Sequence, residues 1–591
     1  MRETVRTRLL PINRSELNAL LLLCSFAPLA NAQFSVTLNP SVPSPAAVGT
    51  QVTWTAVVSG ADPGPFWYRF STRGQVEGHR TVRDFGPENT LGWAAGERDG
   101  SYTVEVEARS LGTGERASAT SAFTALPNAV GGRPAIRPTM HPLVFLYSAP
   151  PCRMGQIMAV YYTSSGQPVQ ETSAKSCDGV YTMNFYVAGL RPETTYYLKH
   201  IVQGPGTVSE GPVLTFRSGQ PEFALPVMTK IQPYPPTTQP VLLSGAVFSY
   251  LQATDLDGTV IWYYPEIVSF LTRPEPGGSF FAINEVQDAD SSRQIVREFD
   301  LVGNILLETN AARVSEQLEA MGKRPINAFH HEARRLPDGN ILLLAGVEQI
   351  LTNVQGPGAV NVLGDMIIVM NRDLEVIWAW DGFDHLDPRR LATQNERCTP
   401  GVCPPLYLAS QANDWMHGNS VSRTPDGNLL FSIRNQDWVV LIDYQDGKGS
   451  GQVIWRLGQD GDFRIRSDDP WPWFSHQHDP EFESNGMLSL FDNGNVRWSS
   501  DNAVNSRGQV YRLDEVNRVA ELVLNSNLGY YSFALGSAQL LLNGNYFFGN
   551  GFRADGSGIG EEVNPSGDVV YSIESTAPEY RTFRMKNMYT P

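Results

Sequence analysis

The chain is short of charge, shorter still of positive charge, and sparing with cysteine. Only 18% of its 591 residues are Asp, Glu, Lys or Arg, against about 25% in an ordinary globular protein. The balance of 45 basic to 61 acidic residues, a net −16, leaves no basic surplus to meet nucleic-acid phosphates or an anionic membrane. A small anionic substrate needs only a local positive pocket and stays open. Beyond the N-terminus no apolar run is long enough to span a membrane. The N-terminus itself carries Arg2, Arg6, Arg8 and Arg14, then LNALLLLCSFAPLANA with the small-x-small motif Ala30-Asn31-Ala32. That layout predicts a cleaved secretory signal over 1–32 and a periplasmic or secreted product. Leu23 before Cys24 disfavours a lipid anchor, since a small residue normally stands there.

Removing the signal leaves Cys152, Cys177, Cys398 and Cys403. An even number in an exported chain reads as disulfides, and proximity pairs Cys152 with Cys177 and Cys398 with Cys403. A length of 591 residues exceeds one core. With Gly at 53, Pro at 41 and aromatics at 10%, the composition suits many short strands joined by turns.

Three regions follow. From 33 to 128 alternating runs such as VTWTAVV, FWYRFS and YTVEVEAR predict an immunoglobulin-like β-sandwich. After the linker NAVGGRPAIRP, a second sandwich is expected over 138–219, where GLRPETTYYLKH is similar to the tyrosine corner of fibronectin type III domains. From 225 to 591 six phrases recur: DGTVIWYY, VGNILLE, LEVIWAW, GQVIWRL, RVAELVL and GDVVYSI. Spaced at about 45 to 77 residues, they predict a six-bladed β-propeller, one phrase per blade. The fold class is therefore all-β.

A second phrase repeats inside that region. HHEARRLPDGNILLLAG, MHGNSVSRTPDGNLLFSIRN, HQHDPEFESNGMLSLFDNG and ALGSAQLLLNGNYFFGNG each give a strand, a tight Asn/Asp-Gly turn and a returning strand. Counting back from the turn glycine, His331 and His478 both stand eight residues before it. His417 stands ten before, with Asn419 in the eight-back place. Equivalent positions of different blades converge on the central channel, so three imidazoles are expected together. The strand returning after the turn ends at Arg434, which places that guanidinium beside His417. Three histidines and an arginine suit capture of an oxyanion and a covalent histidine intermediate.

The motifs HHE, DWMHGNS, SIRNQ and HQHD resemble those of the bacterial arylsulfate sulfotransferases (ASST), in their order and over about 225–591. The resemblance implies ping-pong transfer of a sulfuryl group from a phenolic sulfate donor to a phenol acceptor, without a cofactor. His478, in its Gln477-His478 context, falls on the residue that takes the group. His417, Asn419, Arg434, His330 and His331 fall on the other motif positions. His417 or His331 is implied as general acid and base. Trp415, Trp473 and Phe474 are the aromatics set down for the aryl ring. His330 and His476 are expected as supporting residues, and His476 shares a face with His478 in an ideal strand. The CTPGVC loop matches a short-loop disulfide of such enzymes. The family's pairing into a homodimer stays open, because two sandwiches stand where one is usual. Two other readings are a histidine-ligated metal centre, with Glu332 and Asp479 orienting the imidazoles, and a non-enzymatic propeller binding carbohydrate or protein.

Overall fold

A computed structural model describes residues 34–591 apart from 167–168, 234–236, 248, 287–289, 400–402 and 502–503; the expected export signal lies outside the described residues. The chain is all-β, with strands in every part and short helices only as connectors.

Two sheets occupy the N-terminal region first. Phe34–Pro40, Gln51–Gly60 and Thr90–Ala94 form one. Arg116–Leu126, Gly100–Ser110, Phe66–Gly74 and Gly78–Gly86 form the other. Alternate residues of both point inward, so Trp54, Phe70, Trp93, Val104, Val106 and Phe123 make one buried core. A second pair of sheets covers Ala135–Pro138 to Leu214–Arg217. The linker is therefore shorter than the sequence indicates, because Ala135–Pro138 already pairs with Phe145–Ala149. The GLRPETTYY phrase closes as expected of it: the Tyr196 hydroxyl accepts from the Arg191 N–H at 2.9 Å.

Six antiparallel units of four strands follow among the described residues, numbered as sheets I to VI here; II, III, V and VI carry further strands at an edge. The first strands of II to VI are Phe270–Glu275, Phe329–Arg335, Gly418–Arg423, His478–Phe482 and Ser537–Leu540. Sheet I takes its first strand, Glu579–Met585, from the end of the chain and pairs it with Val241–Ala246. The six first strands lie against one another in that order and return from VI to I. Each recurring seven- or eight-residue phrase falls on the fourth strand of one sheet, from Val260–Ile267 to Val569–Ser575.

These strands are apolar almost without interruption because both faces are covered. In ILLLA, Ile341, Leu343 and Ala345 enter the core between II and III, while Leu342 and Leu344 enter the core between III and IV. Phe547 and Phe548 divide in the same way between the VI–I and V–VI cores. The N-terminal sheet runs on into sheet II through a parallel bridge, Arg83 to Glu308, whose side chains pair at 2.6 Å. The two disulfides are the expected ones, Cys152–Cys177 and Cys398–Cys403. Among the described residues no helix is long and apolar enough to cross a membrane.

Candidate active site

Where the first strands of III, IV and V begin, the ladder breaks in all three. The register shifts between Phe329 and Ala333, between Gly418 and Ser420, and between His478 and Glu481. A non-glycine residue in the left-handed region lies within two of the breaks, His331 (φ 60°) and Asp479 (φ 52°), and another, His417 (φ 52°), immediately precedes the third. Bulges of this kind re-aim side chains, and such conformations cost about 1–3 kcal/mol each. Here they turn imidazoles toward one another. The rings of His331 and His417 lie edge to face with centroids 5.2 Å apart.

His478 is 2% exposed. Its Nδ1 lies 2.7 Å from Asn493 Oδ1 and 3.1 Å from the His476 carbonyl. Asn493 donates through Nδ2 to the carbonyls of Ser532 and Leu535, which commits its Oδ1 as an acceptor. The Nδ1 of His478 must then carry the proton, leaving the lone pair on Nε2. That lone pair accepts from the Leu535 N–H at 3.2 Å. Burial holds His478 well below the ordinary imidazole value. The charges of Arg434, His417 and Arg581 push the same way, against the bond to Asn493.

His417 differs in being open, its side chain 30% exposed. Its Nδ1 donates to Asp414 at 2.6 Å. Burial alone would raise the Asp414 carboxyl, but the His417 charge and hydrogen bond hold it below its usual value. His331 is buried, and its Nδ1 meets His330 Nδ1 at 2.9 Å. His330 Nε2 in turn reaches Asp365 Oδ1 at 3.0 Å. Burial and the neighbouring positive charges lower His331 well below the usual imidazole range. Arg434 stands beside His417 through the Gly418–Ile433 pairing. It donates to Asn435 Oδ1 (2.6 Å) and the Phe533 carbonyl (3.2 Å), while its buried Nε–H has no acceptor among the described residues.

The structure departs from several expectations. His476 precedes the strand with φ 55° and is held by Glu396 and Asp437, so it does not share a face with His478. Trp415 and Phe474 are each 1% exposed and belong to the III–IV and IV–V cores, and Trp473 packs against the latter, so none is set to meet an aryl ring. Glu332 and Asp479 orient no imidazole. With Glu481 they pair with Arg273, Arg334 and Arg581, three cations against three carboxylates. Gln477 is buried, its side-chain Nε2 donating to Ser432 Oγ and the Trp438 carbonyl, and its backbone carbonyl accepts from Asn419 Nδ2 at 2.7 Å. Cys398, Cys403 and Asp414 lie within ligand spacing, but the two sulfurs form a disulfide.

Arg581 reaches Glu332 at 3.0 Å and the Asn419 carbonyl at 2.8 Å. Removing one partner of a buried ionic network strands the others. Arg581→Met is expected to lower stability by about 3–5 kcal/mol in urea denaturation; a change below about 1 kcal/mol would mean that the network is solvated.

Sequence reasoning missed Asn493, Asp414, Asp365 and Arg581. For Asn493 a signal existed: Phe491 pairs with His478, so the rule that places Arg434 beside His417 also places Asp492-Asn493 beside the HQH motif. A family model described as Arylsulfotransferase (ASST) matches residues 169–584, most of the chain and nearly all of the six sheets. A search of curated proteins finds no match.

Proposed function

The chain belongs to the arylsulfotransferase (ASST) family, and from that premise we propose that it moves a sulfuryl group from a phenolic sulfate ester to a phenol by a ping-pong route through His478. The six sheets are the blades of a propeller over 225–591, the two N-terminal sheet pairs are sandwiches over 33–128 and 138–219, and the histidines occupy one mouth of the channel. The two disulfides accord with an exported, oxidised product.

The observation that carries the mechanism is the commitment of His478 Nδ1 to Asn493, which leaves Nε2 as a neutral nucleophile. Nε2 forms a bond to sulfur as the sulfur–oxygen bond to the aryl group breaks. The Nδ1–H stays on Asn493 and supports the positive ring of the sulfohistidine. The Nε2 lone pair gives up the Leu535 N–H as it bonds to sulfur, and that N–H and the Arg434 Nε–H then donate to the sulfuryl oxygens in the transition state. His417, backed by Asp414, protonates the leaving phenolate and then takes the proton of the acceptor phenol. The acceptor oxygen attacks sulfur, the nitrogen–sulfur bond breaks, and His478 returns to its starting state. His331, kept neutral by burial and held by His330 and Asp365, orients the phenolic oxygen beside His417. Phe533, 45% exposed with its carbonyl on Arg434, and Phe270, stacked 5.2 Å from His331, replace the buried tryptophan and phenylalanine as contacts for the aryl ring.

Initial rates with varied donor and phenol test the reading. Double-reciprocal plots are expected to be parallel, and donor alone should add one sulfuryl group to the peptide bearing His478. Converging lines with no enzyme-bound sulfuryl group would establish direct transfer instead.

The tautomer has its own test. Asn493→Leu removes the acceptor that keeps the Nδ1 proton, and turnover should fall by about 10–100-fold. Unchanged turnover would remove Asn493 from the mechanism.

A further inference from the structure

Two of the motif segments, DWMH and RNQ, are joined by hydrogen bonds that the transfer chemistry leaves unused. Arg434–Gln436 forms one 3-10 turn directly after the returning strand Leu429–Ile433 of sheet IV, and Asp437 closes it in the left-handed region (φ 52°). Three donors of that turn meet three consecutive carbonyls. Asn435 Nδ2 reaches Asp414 at 2.8 Å, Gln436 Nε2 reaches Trp415 at 2.7 Å, and the Asn435 N–H reaches Met416 at 3.0 Å. The next residue is His417. Asp414, Trp415 and Met416 are all buried, so their carbonyls need such partners.

Asn435 differs from Gln436 in what its other end holds. Its Oδ1 accepts from Arg434 Nη1 at 2.6 Å, and its backbone carbonyl accepts from the Thr393 N–H at 2.8 Å. Both ends of the amide and both backbone groups are engaged, and the residue is 0% exposed. One end fixes Arg434, whose Nη2 is held in turn by the Phe533 carbonyl. The other end fixes Asp414, whose carboxylate lies 2.6 Å from His417 Nδ1. Satisfying the Asp414 carbonyl alone would not require an acceptor turned to a guanidinium. The amide is planar and rigid, so a tilt that frees one end displaces the other.

We propose that Asn435 is a positioning residue that sets the anion-binding arginine and the acid–base pair in a single geometry. The inference rests on the sulfuryl-transfer reading of this site, but not on the covalent step through His478.

Asn435→Ala, with its fold checked by circular dichroism, tests this through two readouts on the full chain. Calorimetry with inorganic sulfate reads Arg434, and the variant should bind about tenfold more weakly. The ratio of turnover with phenyl sulfate to turnover with 4-nitrophenyl sulfate reads His417, and it should fall by about tenfold, because a misplaced acid costs most where the leaving group needs a proton. If that variant does not fold, the isosteric Asn435→Asp carries the donor comparison, since it keeps an acceptor for Arg434 and sets an oxygen where the donor to Asp414 stood. A folded variant in which neither readout moves overturns the proposal. So does a change in sulfate affinity or in the donor ratio alone in Asn435→Ala, an unchanged ratio in Asn435→Asp, or a wild-type chain that binds no sulfate. A wild-type chain that transfers without an enzyme-bound sulfuryl group would end the ping-pong reading and leave both readouts standing.

Discussion

His478→Ala should lose on the order of 10⁴-fold or more in turnover if, as proposed, His478 carries the sulfuryl moiety between two half-reactions. The lost residue is buried and hydrogen-bonded, so the variant's fold must be checked alongside its rate. A second measurement separates the causes: the wild-type chain mixed with donor alone should gain one sulfuryl group and release one equivalent of phenol in a burst, and the folded variant should do neither. Retention of more than about a tenth of wild-type activity in the folded variant would sink the assignment. The pH dependence has a definite sign. Burial, with the charge of Arg434 next, lowers the proton affinity of His478 well below the ordinary imidazole value. The nucleophile is then neutral at neutral pH and stays so as the pH falls through about 6.5. With 4-nitrophenyl sulfate, whose leaving group needs little protonation, the burst rate should hold through that value and drop only well below it. A rate that halves near 6.5 would mean an ordinary, solvated imidazole.

The second large effect is expected at His417, and its size should depend on the donor. Proton transfer in the transition state contributes about 10²–10⁴-fold, but only where the departing phenolate is basic enough to need it. His417→Ala should therefore cost about that much with unsubstituted phenyl sulfate and far less with 4-nitrophenyl sulfate. Asp414→Asn should move in the same direction by a smaller factor, because it removes the carboxylate that supports the imidazolium. An equal loss with both donors would move the acid–base role away from His417. His331 is the contrasting residue: its lowered affinity for protons makes it unsuited to carry the proton, so its replacement should change both donors alike.

Much of the site was legible because repeats expose equivalence. Counting from Gly339 and Gly486 picked His331 and His478 out of nine histidines, and the structure sets both in bulged first strands. Arg434 followed from hairpin geometry alone. The same reasoning overlooked Asn493, because an Asn-Gly pair reads first as a turn. Trp415 and Phe474 were read as substrate contacts because aromatic residues beside a motif look available. In a sheet covered on both faces they are core residues, as their 1% exposure records. His476 was misplaced because period-2 alternation assumes an unbroken strand, and a left-handed residue at 476 breaks it.

By itself the sequence determined the all-β character, the six recurrent strand phrases and the two disulfide pairs. It also determined which three histidines and which arginine to follow. All of these rest on local rules: side-chain alternation, turn chemistry and repeat register act within a few residues. Only the tertiary structure decided how the four groups are held. Asn493, Asp414 and Asp365 become partners through positions that no repeat marks, and the Leu535 N–H reaches His478 from 57 residues away. Arg581 arrives on a strand from the far end of the chain to complete sheet I, beside residues that precede it by more than a hundred positions. Proton position and charge depend on such contacts and on burial, which are properties of the closed ring of sheets rather than of any segment in it.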